Sequence, residues 1–102
     1  MSRLESLKSL VAQDPGNSFV RYGLAMEYAK EAQYDSAMKE FEAVLQGNAQ
    51  YAAAYYHGGQ TLEKMGKVEE ARSMYERGIQ VTKQTGDLHT RSELQAALDL
   101  LG

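Results

Sequence analysis

A chain of 102 residues fits one domain, since domains run to roughly 100–200 residues. Eleven Lys and Arg against fourteen Asp and Glu leave a net charge of −3, which argues against a general nucleic-acid binder, normally basic. There is no cysteine, hence no disulfide, thiol nucleophile or Cys-based zinc site, and no apolar run approaches the ~20 residues that cross a bilayer. The first residues, Met1-Ser2-Arg3-Leu4-Glu5, lack the continuous apolar stretch of a signal peptide. The expectation is a soluble, cytoplasmic chain that does not insert into a membrane. A single proline, Pro15, and plentiful Ala, Leu, Glu, Gln and Lys favour helix, and nothing alternates as a strand would.

Taken in chain order, residues 2–13 open with Ser2-x-x-Glu5, a capping-box pattern that predicts a helix start. Beyond Pro15 the chain repeats itself. At a shift of 34 residues Tyr22 meets Tyr56, Lys30 meets Lys64, Ala37 meets Ala71 and Glu42 meets Glu76. Size is matched as well as identity: Ala25 meets Gly59, Ala32 meets Gly66, Phe41 meets Tyr75 and Leu45 meets Ile79. Within a unit the apolar spacing is helical: Leu24, Ala25 and Tyr28, then Ala37, Phe41, Val44 and Leu45. The small residue between the two stripes, Ala32 or Gly66, predicts a tight turn. Each unit therefore reads as helix–turn–helix, over 18–51 and 52–85. Gly86-Asp87 is a stop and a restart. Leu88, Leu94, Ala97, Leu98 and Leu101 then predict an amphipathic helix over 87–101.

These residues resemble the tetratricopeptide repeat family, whose units are 34 residues long. The resemblance is carried by Leu24, Ala25, Tyr28, Ala32, Tyr34, Ala37, Phe41 and Val44 in the first unit. In the second it is carried by Tyr55, Gly59, Leu62, Gly66, Ala71, Tyr75 and Gly78. Pro15 lies at the family's proline position, and Leu7, Leu10 and Val11 fall where a second helix places its core face. The resemblance implies an all-α fold, a right-handed α-solenoid of antiparallel helix hairpins with about six helices. Residues 2–13 would be the orphan second helix of an earlier unit, and 87–101 a closing helix, since repeat arrays need terminal elements with one polar face. Gly58, beside Gly59, departs from the family's usual Leu. Two glycines inside one helix cost roughly 0.5–1 kcal/mol each against Ala. The expectation is that Tyr55 or Tyr75 fills the room at Gly58.

In family terms the first helix of each unit lines a concave wall. The resemblance assigns Phe19, Tyr22, Met26 and Lys30 to it, then Tyr56, Gln60, Glu63 and Lys64. Helical arithmetic agrees, because Tyr22, Met26 and Lys30 share one stripe, as do Tyr56, Gln60 and Lys64. The implied function is non-catalytic protein–protein interaction, a scaffold or adaptor holding a protein or peptide segment in the groove. The alternative is self-association as a weak homodimer, fed by Tyr51 and Phe19 at repeat edges. Met26 and Gln60 stand where a carboxylate-clamp repeat carries Asn, so the chain does not resemble that sub-class.

Nothing points to a cofactor or a metal. His57 and His89 are the only histidines and lack metal-ligand spacing. No glycine-rich phosphate loop exists, and Ser36, Ser73 and Ser92 have no adjacent histidine as base. Met38, Met65 and Met74 read as adaptable packing.

Overall fold

The computed structural model describes all 102 residues. Six helices and no strand follow one another: α1 (Arg3–Gln13), α2 (Ser18–Lys30), α3 (Tyr34–Gly47), α4 (Ala52–Lys64), α5 (Val68–Thr85) and α6 (Leu88–Leu101). Three of them start on a side-chain cap. Ser2 Oγ accepts the Glu5 N–H at 3.1 Å and donates to Glu5 Oε1 at 3.2 Å. Asn17 Oδ1 accepts from Val20 N–H and Asp87 Oδ1 from Thr90 N–H, both at 3.1 Å. Each contact satisfies one of the N–H groups that a helix start leaves open. The Thr90 N–H also holds the Asp87 carboxyl below its ordinary value.

The two hairpin turns close alike. Gln33 N–H reaches back to Tyr28 O, and Lys67 N–H to Leu62 O, each at 2.9 Å. That geometry needs a left-handed residue just past the helix. Gly66 supplies it at φ 77°, whereas Ala32 is forced to φ 60°. A Cβ in that region is strained. Ala32→Gly should therefore raise stability by about 0.5–1 kcal/mol, read as a higher urea midpoint at unchanged slope. An unchanged or lower midpoint would show that the turn carries no strain.

The helices pair as neighbours in sequence: α1 on α2, α2 with α3, α3 on α4, α4 with α5 and α5 with α6. No hairpin could bury its apolar face alone, so the stacking produces one continuous core. Fourteen buried residues form a single cluster, from Ala25 in α2 to Ala97 in α6. Matched positions of the repeat are buried alike: Ala25 and Gly59, Ala37 and Ala71, Phe41 and Tyr75, Leu45 and Ile79. In α6 only Leu94 and Ala97 are buried, with Leu98 and Leu101 partly so. Leu88 is 62% exposed, contrary to its placement on the apolar face. It is the first residue of α6.

The glycines of α4 and α5 fit bulky neighbours, though in a different pairing from the one expected. The space at Gly58 is taken by the Met74 and Met38 methyls, 3.6 and 3.8 Å from where a Cβ would stand. Tyr75 lies over Gly59 instead, and Tyr55 over Gly78. Helical geometry accounts for the shift, because Gly58 and Gly59 point about 100° apart around one helix. Arg21 bonds Pro15 O through Nε at 3.2 Å and Nη2 at 3.0 Å, while its Nη1 meets Glu40 Oε1 at 2.7 Å. One guanidinium thus links the α1–α2 loop to α3.

Candidate functional site

The first helices of the two hairpins lie side by side, and α6 lies against the far side of α4. Depressions follow both seams. The α2–α4 seam holds one of about 240 Å³, lined by Met26, Ala29, Lys30, His57, Gln60, Thr61 and Lys64. The α4–α6 seam holds one of about 320 Å³, lined by Tyr56, Gln60, Glu63, Glu93, Ala96, Ala97 and Leu100. Gln60 borders both, so the two form one surface that crosses three helices.

The residues assigned from sequence distribute unevenly over this surface. Met26, Lys30, Gln60 and Lys64 meet in the first depression, and Tyr56, Gln60 and Glu63 in the second. Phe19 is 66% exposed and lines neither. Tyr22 is half-buried in an aromatic stack, its ring centroid 5.1 Å from Tyr51 and 6.1 Å from both Phe41 and His57. Its main contacts are therefore internal. Tyr51, the candidate for self-association, is the closest ring in that stack. Burial raises the hydroxyl pKa of both tyrosines.

Tyr56 is likewise half-buried. His57 meets it edge-on at 5.1 Å, and its hydroxyl accepts from Gln60 Nε2 at 2.9 Å. Glu63 accepts from the Tyr75 hydroxyl. Burial and that bond to Glu63 both push the Tyr75 pKa up strongly, so the phenol stays a donor. That bond ties Glu63 to α5, while the residue also lines the α4–α6 depression and shares another with Gln60 and Lys64. Neither Lys30 nor Lys64 enters an ion pair; the arginines Arg3, Arg21, Arg72 and Arg77 do.

Sequence reasoning missed the share of α6 in this surface: Glu93, Ala96, Ala97 and Leu100. α4 begins 34 residues after α2, but α6 begins 36 after α4. The reason is that α5 has 18 residues against 14 in α3, while the loop after it has two (86–87) against four (48–51). At the longer offset Ala96 follows Gln60 and Leu100 follows Lys64. The signal was the displaced stop at Gly86, a left-handed residue at φ 77° that ends α5.

His57 is the titratable group most affected by this setting. Burial lowers its pKa below 6.5, and the Glu93 carboxylate partly opposes the shift. The folded state thus favours the neutral ring. Its contribution to stability is complete above pH 6.5 and is lost as pH falls from there through the lowered value. His57→Gln should flatten the decline of the melting temperature over that window, followed by circular dichroism. An equally steep decline in the variant would assign it to other groups. No set of three His, Asp or Glu side chains surrounds a common point. No helix is long and apolar enough to cross a membrane.

None of the curated proteins matches the chain significantly in sequence. Among solved structures, a tetratricopeptide repeat domain protein from Salinibacter ruber is 32% identical over 83% of this chain and 94% of its own, with a TM-score of 0.77. A protein from Bordetella parapertussis is 31% identical over 99% of this chain and 88% of its own, with a TM-score of 0.86. YrrB, described as a tetratricopeptide repeat protein with an unusual peptide-binding site, is 26% identical over 92% of this chain and 46% of its own, with a TM-score of 0.81. The tetratricopeptide repeat profile itself matches residues 28–98, a span that runs from the end of α2 through α3, α4 and α5 into most of α6. With a repeated core, hairpins closed by the same turn, and that match over most of its length, the chain belongs to the tetratricopeptide repeat family.

Proposed function

We propose that the chain is a non-catalytic interaction module, a scaffold or adaptor that holds a peptide or protein segment against α2, α4 and α6. The observation that carries this reading is that depressions lie along both seams of α4 and share Gln60 as a lining residue. Tyr56 adds a flat, amphipathic contact with little rotamer entropy to lose. The peptide-binding site described for YrrB lends support by analogy, which concerns fold rather than chemistry.

The test uses peptides selected from a displayed library on the intact protein. Gln60→Trp would fill both depressions, while Glu76→Trp places the same ring on exposed α5 surface. Peptide binding measured by fluorescence anisotropy should be lost in the first variant and kept in the second. Retention in Gln60→Trp would refute the groove. Tyr22→Ala is a poor probe, because it would break the aromatic stack as well as any contact with a partner.

A further inference from the structure

The charge on this surface is uneven, and that narrows the partner. The chain as a whole is acidic at −3, yet two lysines, one from each hairpin, converge on the depression between α2 and α4. Its other walls are Met26, Ala29, Thr61, Gln60 and the neutral His57, with no carboxylate among them. Of the acids nearby, Glu63 holds the Tyr75 hydroxyl while sharing a neighbouring depression with Gln60 and Lys64, Glu27 meets Arg3 at 3.2 Å, and Glu40 meets Arg21. The second depression is mixed: Glu63 and Glu93 line it, and beside them Ala96, Ala97 and the 88% exposed Leu100 of α6 form an apolar wall.

We propose that the groove takes an internal peptide segment carrying an acidic side chain and an apolar one. The carboxylate sits between Lys30 and Lys64, and the apolar group rests against Tyr56, Ala97 and Leu100. This rests on the groove reading above and adds the chemistry of the partner. The ligand is a side-chain carboxylate, borne by a segment that runs on to the apolar wall at α6. The depression offers it two mobile ammonium groups and one side-chain amide, Gln60. Two mobile ammonium groups can follow a carboxylate on a flexible side chain. Such pairs at a partly open surface give specificity and on-rate more than affinity.

The probe is a set of synthetic peptides, acetylated and amidated, derived from display selection on the full chain. Replacing Glu by Gln in the peptide should weaken binding about 3- to 10-fold, with a loss of similar size on raising salt. Lys30→Glu with Lys64→Glu should reverse the preference towards peptides carrying Lys at that place. Lys30→Gln with Lys64→Gln should abolish the preference without reversing it. Both lysines are exposed, and a melting curve for each variant confirms that it folds.

Three results would overturn the proposal. Gln peptides that bind as well as Glu peptides while still shifting the Met26 and Gln60 resonances would leave the groove standing and refute its charge preference. Binding only by peptides with a free C-terminal carboxylate would make the terminus the ligand. No shift at either residue with any peptide would remove the groove itself.

Discussion

Gly59→Ala should destabilise the protein by about 2 kcal/mol, whereas Gly58→Ala, one residue earlier, should stabilise it by about 0.5–1 kcal/mol. Helix propensity alone predicts the same gain at both sites. The difference lies in what each Cβ would meet. At Gly59 it would overlap the Tyr75 ring, coming within 2.6 Å of Cδ1 and closer still to Cε1. That ring is fully buried and its hydroxyl is tied to Glu63, so it has no room to retreat. Overpacking of this kind costs about 1–3 kcal/mol or more, beyond the propensity gain that offsets it. At Gly58 the nearest atoms are Met74 Cε at 3.6 Å and Met38 Cε at 3.8 Å, ordinary contacts with flexible side chains. Urea unfolding of the two variants should move the midpoint in opposite directions. Midpoints that rise together would mean that Tyr75 can vacate Gly59. A fall in both would mean that the methionine pair is packed as tightly as the tyrosine.

That pair of glycines also marks how far the sequence could be read. The 34-residue recurrence of residue size reveals the hairpins, because the positions that must be small or bulky are set by helix contacts that recur. Ala25 with Gly59 and Phe41 with Tyr75 are buried in the same roles. Which bulky group fills which small space is a different matter. It depends on rotamers and on the angle between α4 and α5, and methionines take the space at Gly58 where a tyrosine was expected, while Tyr75 lies over Gly59. The surface shows the same division. Stripe geometry brings Met26, Lys30, Gln60 and Lys64 together. It cannot tell that Tyr22, on the same stripe, turns into the stack with Tyr51 and Phe41. The share of α6 was hidden for a third reason. One additional turn in α5, less the two residues by which the following loop is shorter, shifts the register by two, so a search at a fixed interval passes over Ala96 and Leu100.

Leu94→Ala should cost about 2–4 kcal/mol, with the loss falling first on α6. Leu94 is fully buried, and its Cδ1 stands within 2.9 Å of where a Cβ on Gly78 would be. It seats α6 in the notch that Gly78 leaves beside Tyr55. Ala97 is the only other buried residue of the helix, so truncating Leu94 removes most of what docks it. In a quasi-linear stack a terminal element can detach while its neighbours stay folded. The measured loss is then limited by the free energy that docks α6, and it does not reach the stability of the whole chain. Hydrogen exchange should distinguish the two variants. Leu94→Ala should deprotect the amides of 88–101 well before those of α4 and α5. Gly59→Ala, placed inside the central hairpin, should lower protection throughout. Uniform deprotection in Leu94→Ala would instead make the six helices one cooperative unit. The same variant bears on binding, since the wall formed by Ala96, Ala97 and Leu100 leaves with α6. A peptide anchored on both seams should then lose its apolar contact but keep its preference for Glu over Gln, because Lys30 and Lys64 remain in place on α2 and α4.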